Sequence, residues 1–290
     1  MPLDTSSYSL ALLRLDGRRW NELRRLSAQI STQAAADGSS YLEMGNTKVI
    51  CTVAGPAEGR RIGGGSIAGS EATIQVNISI AGFSGVERKR KARSDKRVAE
   101  MQHTIVNALQ STLHTSHYPG STIAINLHVL AQDGSLLAAL INASTLALID
   151  AGVPMSDYLT ACTAGSTVNA AASRSAPRPQ AALPGLSNLA DDVEDPLLDL
   201  NSLEEQELPY LTVGTLGATD KVVVCVLETR MHAHRLEEML AVGVDGCARI
   251  REILDSVNAA ALFSIAAPDW EAAKFTQEQC RHIPTIVGEN

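Results

Sequence analysis

The clearest alternation along the chain is EATIQVNISI at residues 71–80, where Ile74, Val76, Ile78 and Ile80 fall on one side of an extended strand. Upstream, residues 27–55 read as strands, with turn chemistry at Asp37-Gly38 and Gly45-Asn46. Two successive hairpin connections predict an antiparallel meander. The period then changes. Val98, Met101, Ile105, Leu109 and Leu113 recur at three- and four-residue spacing, the stripe of an amphipathic helix. Pro119-Gly120 ends that region, and TIAINLHVL at 122–130 returns to β-branched alternation. After a turn at 132–135, residues 136–151 are small and apolar nearly all round, which predicts a deeply buried helix. Residues 159–168 read as another strand, and 209–217 and 221–227 as two more. A closing helix over 233–260 is striped by Leu236, Leu240, Val244, Cys247, Ile250 and Leu254.

Residues 169–196 break the pattern. They are rich in Ala, Ser and Pro and then turn acidic, the composition of a mobile insertion. The residues after Pro268 read as a loosely held tail. Strands and helices in this order predict an α/β (α+β) domain with mixed sheets and packed helices. The regular βαβ alternation of a dinucleotide-binding fold is missing.

Composition narrows the classes. With 290 residues and 45% hydrophobic content, the chain can bury a sizeable core in one large domain or two small ones. A net charge of −8 argues against a free-standing nucleic-acid module, though not against a local basic patch. No apolar run approaches the ~20 residues of a membrane helix, and the N-terminus has no basic region or cleavage site of a secretory signal. Five scattered cysteines (Cys51, Cys162, Cys225, Cys247 and Cys280) without a CxxC pair fit reduced thiols in the cytosol or nucleus.

Several motifs carry no chemistry. Gly63-Gly64-Gly65-Ser66 has neither P-loop nor Rossmann spacing and reads as a flexible loop. His232 and His234 lack cysteine or carboxylate partners for a metal, and Cys51 and Cys162 read as core residues. Charge is more informative. Arg88, Lys89, Arg90, Lys91, Arg93, Lys96 and Arg97 lie within ten residues before the first striped helix. They are either a solvated loop or a phosphate-backbone contact, to which Arg60 and Arg61 could add. Asp191, Asp192, Glu194, Asp195, Asp199, Glu204, Glu205 and Glu207 form an opposite cluster. It reads best as a soluble loop edge, with metal or acid–base work as the alternative.

The stretches LRLDGRRWNELRRL (13–26), ADGSSYLEMGNTKV (36–49), GVERKRKARSDKRVAEM (85–101), HVLAQDGSLLAALINASTLALIDAGVPM (128–155) and DLNSLEEQE (199–207) resemble the RNase PH-like proteins, and among them the eukaryotic RNA exosome ring subunits. The resemblance runs from about Leu13 to Ser256. It implies a tail over 1–12, an RNase PH-like domain over 13–260 interrupted by the insertion 169–196, and an extension over 261–290. The family fold joins two related β-α halves. Active members shorten RNA from its 3′ end with inorganic phosphate. That chemistry needs arginines around the phosphates, a turn that holds the attacking phosphate, and two carboxylates.

Position by position, the family's phosphate-contacting arginine falls on Arg97, with Lys96 beside it. The phosphate-holding turn reads Gly134-Ser135-Leu136, with leucine in place of arginine. Counting from Asp199-Leu200-Asn201, the carboxylate pair falls on Glu205 and Leu211. The resemblance therefore implies a ring subunit without catalytic residues, metal or cofactor, in which Arg60, Arg61, Lys96 and Arg97 contact RNA. Its partners would be other RNase PH-like ring subunits, S1/KH-domain caps, a hydrolytic 3′-5′ exoribonuclease and single-stranded RNA, in the nucleus, including the nucleolus, and the cytoplasm. The alternatives are an active phosphorolytic exoribonuclease and a monomeric RNA-binding protein.

Overall fold

The computed structural model describes residues 14, 16–58, 71–85, 88, 95–166, 196–219, 221–229 and 233–266, with side chains of the last helix described over 236–261. Arg60, Arg61, the Gly63–Ser66 stretch, most of the basic run, the 169–195 segment and both residues of the histidine pair as side chains lie outside the described residues.

Strands β1 (Leu26–Ile30), β2 (Gly38–Met44), β3 (Thr47–Glu58), β4 (Thr73–Ile80) and β5 (Ser121–Ala131) form one sheet in the order β1-β2-β3-β5-β4. The first three run antiparallel, as the meander predicts. Gly45, at φ +60°, and Asn46 make the tight turn between Met44 and Thr47. Asp37-Gly38 does not close a tight hairpin. Gly38 already belongs to β2, and a Cβ there would lie 2.3 Å from the Ala147 carbonyl of a packed helix.

Helix α1 (Lys96–Thr112) is capped by Asp95, whose side chain accepts from the Arg97 amide at 3.1 Å. It links β4 to the parallel neighbour β5, giving the single parallel crossover among the described strands. The predicted stripe faces inward: Ile105 and Leu109 are buried in the main core with Ile74, Val76 and Ile78 of β4. Helix α2 (Leu136–Asp150) is buried along nearly its whole length, as its all-round apolar character requires. It lies between the first sheet and the second, touching β2 and β3 on one side and the strand Leu159–Ser166 on the other.

The second sheet holds β6 (Leu159–Ser166), β7 (Pro196–Leu198), β8 (Tyr210–Leu216) and β9 (Val222–Leu227) in the order β7-β6-β8-β9, all antiparallel. Mixed pairing is thus confined to the first sheet. Between β7 and β8 runs a short helix, α3 (Ser202–Glu207). The long helix α4 (Ala233–Ala266) packs on β6, β7 and β8 and continues past the expected end at Ala260. Strand β7 and helix α3 have no counterpart in the sequence reading, and Pro196, placed there in the insertion, opens β7. A buried asparagine stitches α2 to the second sheet. Asn142 donates to the Ala161 carbonyl at 2.9 Å and accepts its amide at 2.8 Å, satisfying a strand edge that β7 is too short to cover. Cys51, Cys162 and Cys247 are buried, and burial pushes their thiols up, so they behave as core residues.

Candidate nucleic-acid interface

Three chain segments far apart in sequence meet at the start of α2. Asp199, buried and at φ +52°, is the hub. Its carboxylate accepts from Arg24 Nη2 at 2.7 Å, from the Arg24 amide at 2.9 Å and from Ser135 Oγ at 3.0 Å. Arg24 also donates to the carbonyl of Asp133 at 2.6 Å, so one guanidinium holds both the turn before α2 and the chain entering α3. Burial disfavours the Asp199 anion, but the charge and hydrogen bonds of Arg24 win, and its carboxyl sits below the usual range.

A second lock repeats the chemistry. Glu204 is buried against Arg14, paired through both Nε and Nη2, and its Oε2 accepts from the Asn201 amide at 3.0 Å, closing a capping box on α3. Asp199 and Glu204 are therefore not a soluble loop edge. They are buried counter-charges to arginines of the N-terminal segment. Glu207, by contrast, is exposed, and Asp191, Asp192, Glu194 and Asp195 lie outside the described residues.

The turn itself is tightly constrained. Gly134 adopts φ +80°, and a Cβ there would lie 2.5 Å from the Leu200 carbonyl. Ser135 is left-handed at φ +52°, and its amide donates to Glu205 Oε1 at 2.5 Å. The Ser135 amide is thus already taken by a carboxylate of the same chain. Burial pushes the Glu205 carboxyl up. The Ser135 amide and the charges of Arg24 and Arg97 pull it down without cancelling that effect. Leu136 is buried at the first turn of α2 and offers nothing to an anion.

Arg97 and Lys96 sit on the first turn of α1. Arg97 reaches across to the second sheet, donating to the Tyr210 hydroxyl at 3.4 Å and lying 3.7 Å from Glu228 Oε2. Tyr210 in turn donates to Glu228 Oε2 at 2.8 Å. Burial and the neighbouring Glu228 push the Tyr210 hydroxyl up, so it stays a neutral donor. Arg97 and Glu205 are close enough to feel one another's charge, so the structure brings these two expected site residues together.

Leu211 does not join them. It is fully buried with Ala164, Val213 and Met239, on the face of β8 that α4 covers. Alternation along β8 turns Tyr210 to the opposite face, toward Arg97. The register counted from Asp199 thus places Leu211 on the wrong side of its strand, and its identity says nothing about a lost catalytic carboxylate. Sequence reasoning passed over Tyr210, Glu228, Arg14 and Arg24 as site-building residues. Among the described residues no group of three or more His, Cys, Asp or Glu is placed to hold a metal ion, and no helix is long and apolar enough to cross a membrane.

Two β-sheets pack around a buried helix whose opening turn is held by a carboxylate of α3, and an arginine of α1 acts on that carboxylate through its charge. Residues 22–154 match the family described as 3' exoribonuclease family, domain 1. The chain belongs to the RNase PH family of exosome core subunits. It is 39% identical over 250 residues to the exosome complex component SKI6 of Saccharomyces cerevisiae, covering 86% of this chain and 91% of that protein. It is 34% identical over 248 residues to the exosome complex component RRP41 of Homo sapiens, covering 84% and 89%. Its fold is similar to that of rice (Oryza sativa) Rrp46, with a TM-score of 0.66, 24% identity and coverage of 83% and 98%. It is similar too to a chain of the Archaeoglobus fulgidus exosome with RNA bound to the active site, with a TM-score of 0.65, 19% identity and coverage of 86% and 95%.

Proposed function

We propose that this chain is a non-catalytic ring subunit of an RNA exosome, which scaffolds the assembly and helps to thread single-stranded RNA. A separate hydrolytic 3′-5′ nuclease then does the cutting, with S1/KH-domain caps on the entry side and RNase PH-like neighbours in the ring, in the nucleus and the cytoplasm. The observation that carries this reading is the turn at Gly134-Ser135-Leu136. The Ser135 amide within it is occupied by Glu205 at 2.5 Å, and the adjoining side chain is an apolar leucine. An attacking phosphate needs donors and positive charge at that place. Here it would meet a carboxylate and a hydrocarbon. The family kinships of 39% and 34% identity support the exosome assignment.

RNA contact survives where phosphate chemistry does not. Lys96 is exposed and the Arg97 side chain is 60% exposed, both on the first turn of α1. Cations there suit a sequence-independent phosphate backbone contact. Arg60 and Arg61 belong to the same proposed path on the strength of the sequence alone.

One observation favours the alternative of an active phosphorolytic exoribonuclease: Glu205 is a mostly buried carboxyl with a raised proton affinity beside Arg97, a reasonable general acid. The deciding experiment supplies end-labelled single-stranded RNA to the chain assembled with its ring partners, without the hydrolytic nuclease, in the presence and absence of inorganic phosphate. Bound RNA that is not shortened supports the scaffold and conduit. Phosphate-dependent shortening with nucleoside diphosphate release, lost in Arg97→Ala, makes the chain an enzyme.

A further inference from the structure

The proposed RNA path contains a group that works against it. Glu228, the residue just past β9, places a carboxylate oxygen 3.7 Å from the Arg97 guanidinium. Both side chains are open to solvent, 49% and 60% exposed, so neither is needed as a buried counter-charge. A carboxylate in that position repels the very phosphate that Arg97 would hold. A site made only to neutralise a polyanion has no use for it.

We infer that Glu228 accepts a hydrogen bond from the ribose 2′-hydroxyl of the nucleotide whose phosphate Arg97 holds, and so selects RNA over DNA. This rests on the RNA-path reading above. The chemistry matches the group. An ionised carboxylate only accepts hydrogen bonds, and the 2′-hydroxyl is the donor that DNA lacks. The geometry is prepared for one such bond. Tyr210, itself buried in β8, donates its hydroxyl proton to Glu228 Oε2 at 2.8 Å and fixes where the carboxylate stands. Glu228 Oε1 has no hydrogen-bond partner among the described residues. The same tyrosine hydroxyl accepts from Arg97 Nη2 at 3.4 Å, so one side chain spaces the phosphate-binding cation from the sugar-binding anion. A phosphate and the 2′-hydroxyl of its own nucleotide are separated by only a few bonds, and a cation and an acceptor side by side fit that pair. Glu228 binds substrate in this reading; Tyr210 is a positioning residue.

The test measures affinity of the full-length chain, purified in the assembly it forms in its own cells, for three single strands of one sequence: RNA, DNA and 2′-O-methyl RNA. Wild type, Glu228→Gln, Glu228→Ala, Tyr210→Phe and Arg97→Ala are compared across a salt series. We expect Glu228→Ala to cut the preference for RNA over both other strands by about fivefold, with Glu228→Gln and Tyr210→Phe between it and wild type. The salt slope of wild type is retained in all three. If instead the Glu228 variants bind all strands more tightly by the same factor, Glu228 is only a counter-ion to Arg97 and the inference fails, while the RNA path stands. Arg97→Ala should weaken RNA and DNA alike and flatten the salt slope. Unchanged affinity in Arg97→Ala removes the RNA-path reading itself.

Discussion

Arg24–Asp199 and Arg97–Glu228 are the same pair of ions in two different solvents. The first is 2.7 Å apart with side chains 5% and 1% exposed; the second is 3.7 Å apart and half exposed. In the interior, neither ion of the first pair can find water if the other is taken away, so the pair behaves as a single structural part. At the surface, each ion of the second pair stays solvated by itself, and the pair gains little from being together. The difference sorts the basic residues of this chain by role. Arg14 and Arg24 lock the N-terminal segment to the chain around α3, and Arg97 is left available to a ligand. Glu205 connects the two: its carboxylate takes the Ser135 amide beside the rigid pair and feels the charge of Arg97 in the open one.

The contrast breaks first at Arg24. Arg24→Ala leaves Asp199 charged, buried and without its main partner, and we expect a loss of about 3–5 kcal/mol in urea unfolding, or an insoluble chain. Arg24→Lys should recover little, because one guanidinium serves Asp199 and the Asp133 carbonyl together. A cost below about 1 kcal/mol for Arg24→Ala would mean that the hub is dispensable.

Gly134→Ala comes next. It forces a side chain onto a backbone at φ +80° and toward a carbonyl 2.5 Å away, where no flexible group can yield. We expect a loss of about 2–3 kcal/mol in the same assay. The Ser135 amide should move off Glu205 as well, seen as a changed amide shift or faster hydrogen exchange at that position. An unaltered melting temperature would show that the turn is looser than its contacts imply.

Much of this was legible from residue order, and the failures have physical causes. Period-two and period-3.6 patterns find β4, β5, α1 and α2, because each is long and has one face or all faces in the core. Strand β7 at three residues and helix α3 at six are too short to show a period at all. The acidic stretch around α3 reads as solvated because its partners, Arg14 and Arg24, are more than 170 residues away in the chain. No local pattern reports on such a distance. Leu211 was misplaced by counting along a helix and a bend as if spacing fixed direction, whereas the pleat of β8 decides which face a residue serves. Arg97 is singled out by the basic run and by the family resemblance; Glu228 and Tyr210 carry no such signal, because only the fold brings β8 and β9 to α1.

Acid tests the buried pair more gently. The Asp199 carboxyl is held below its usual range in the folded chain, so the folded state binds its proton less readily than the unfolded state does. Its contribution to stability is therefore complete above about pH 4, near the ordinary aspartate value, and fades as pH falls through the depressed folded value. Stability plotted against pH should drop on the acid side in wild type, and that drop should be shallower in Asp199→Asn. Parallel acid limbs in the two proteins would show that Asp199 does not titrate as its surroundings require.

The smallest expected stability change is the most informative one. Arg97 contributes a 3.7 Å pair to an exposed carboxylate and one long hydrogen bond to Tyr210, so Arg97→Ala should cost no more than about 0.5 kcal/mol in unfolding. Its RNA affinity should nevertheless fall several-fold, with a salt slope reduced by about one. A residue that matters to binding and not to folding is what an open ion pair predicts. If Arg97→Ala instead destabilises the chain as Arg24→Ala does, the contact between α1 and the second sheet is a third lock, and the line drawn here between buried and open arginines does not divide structure from function.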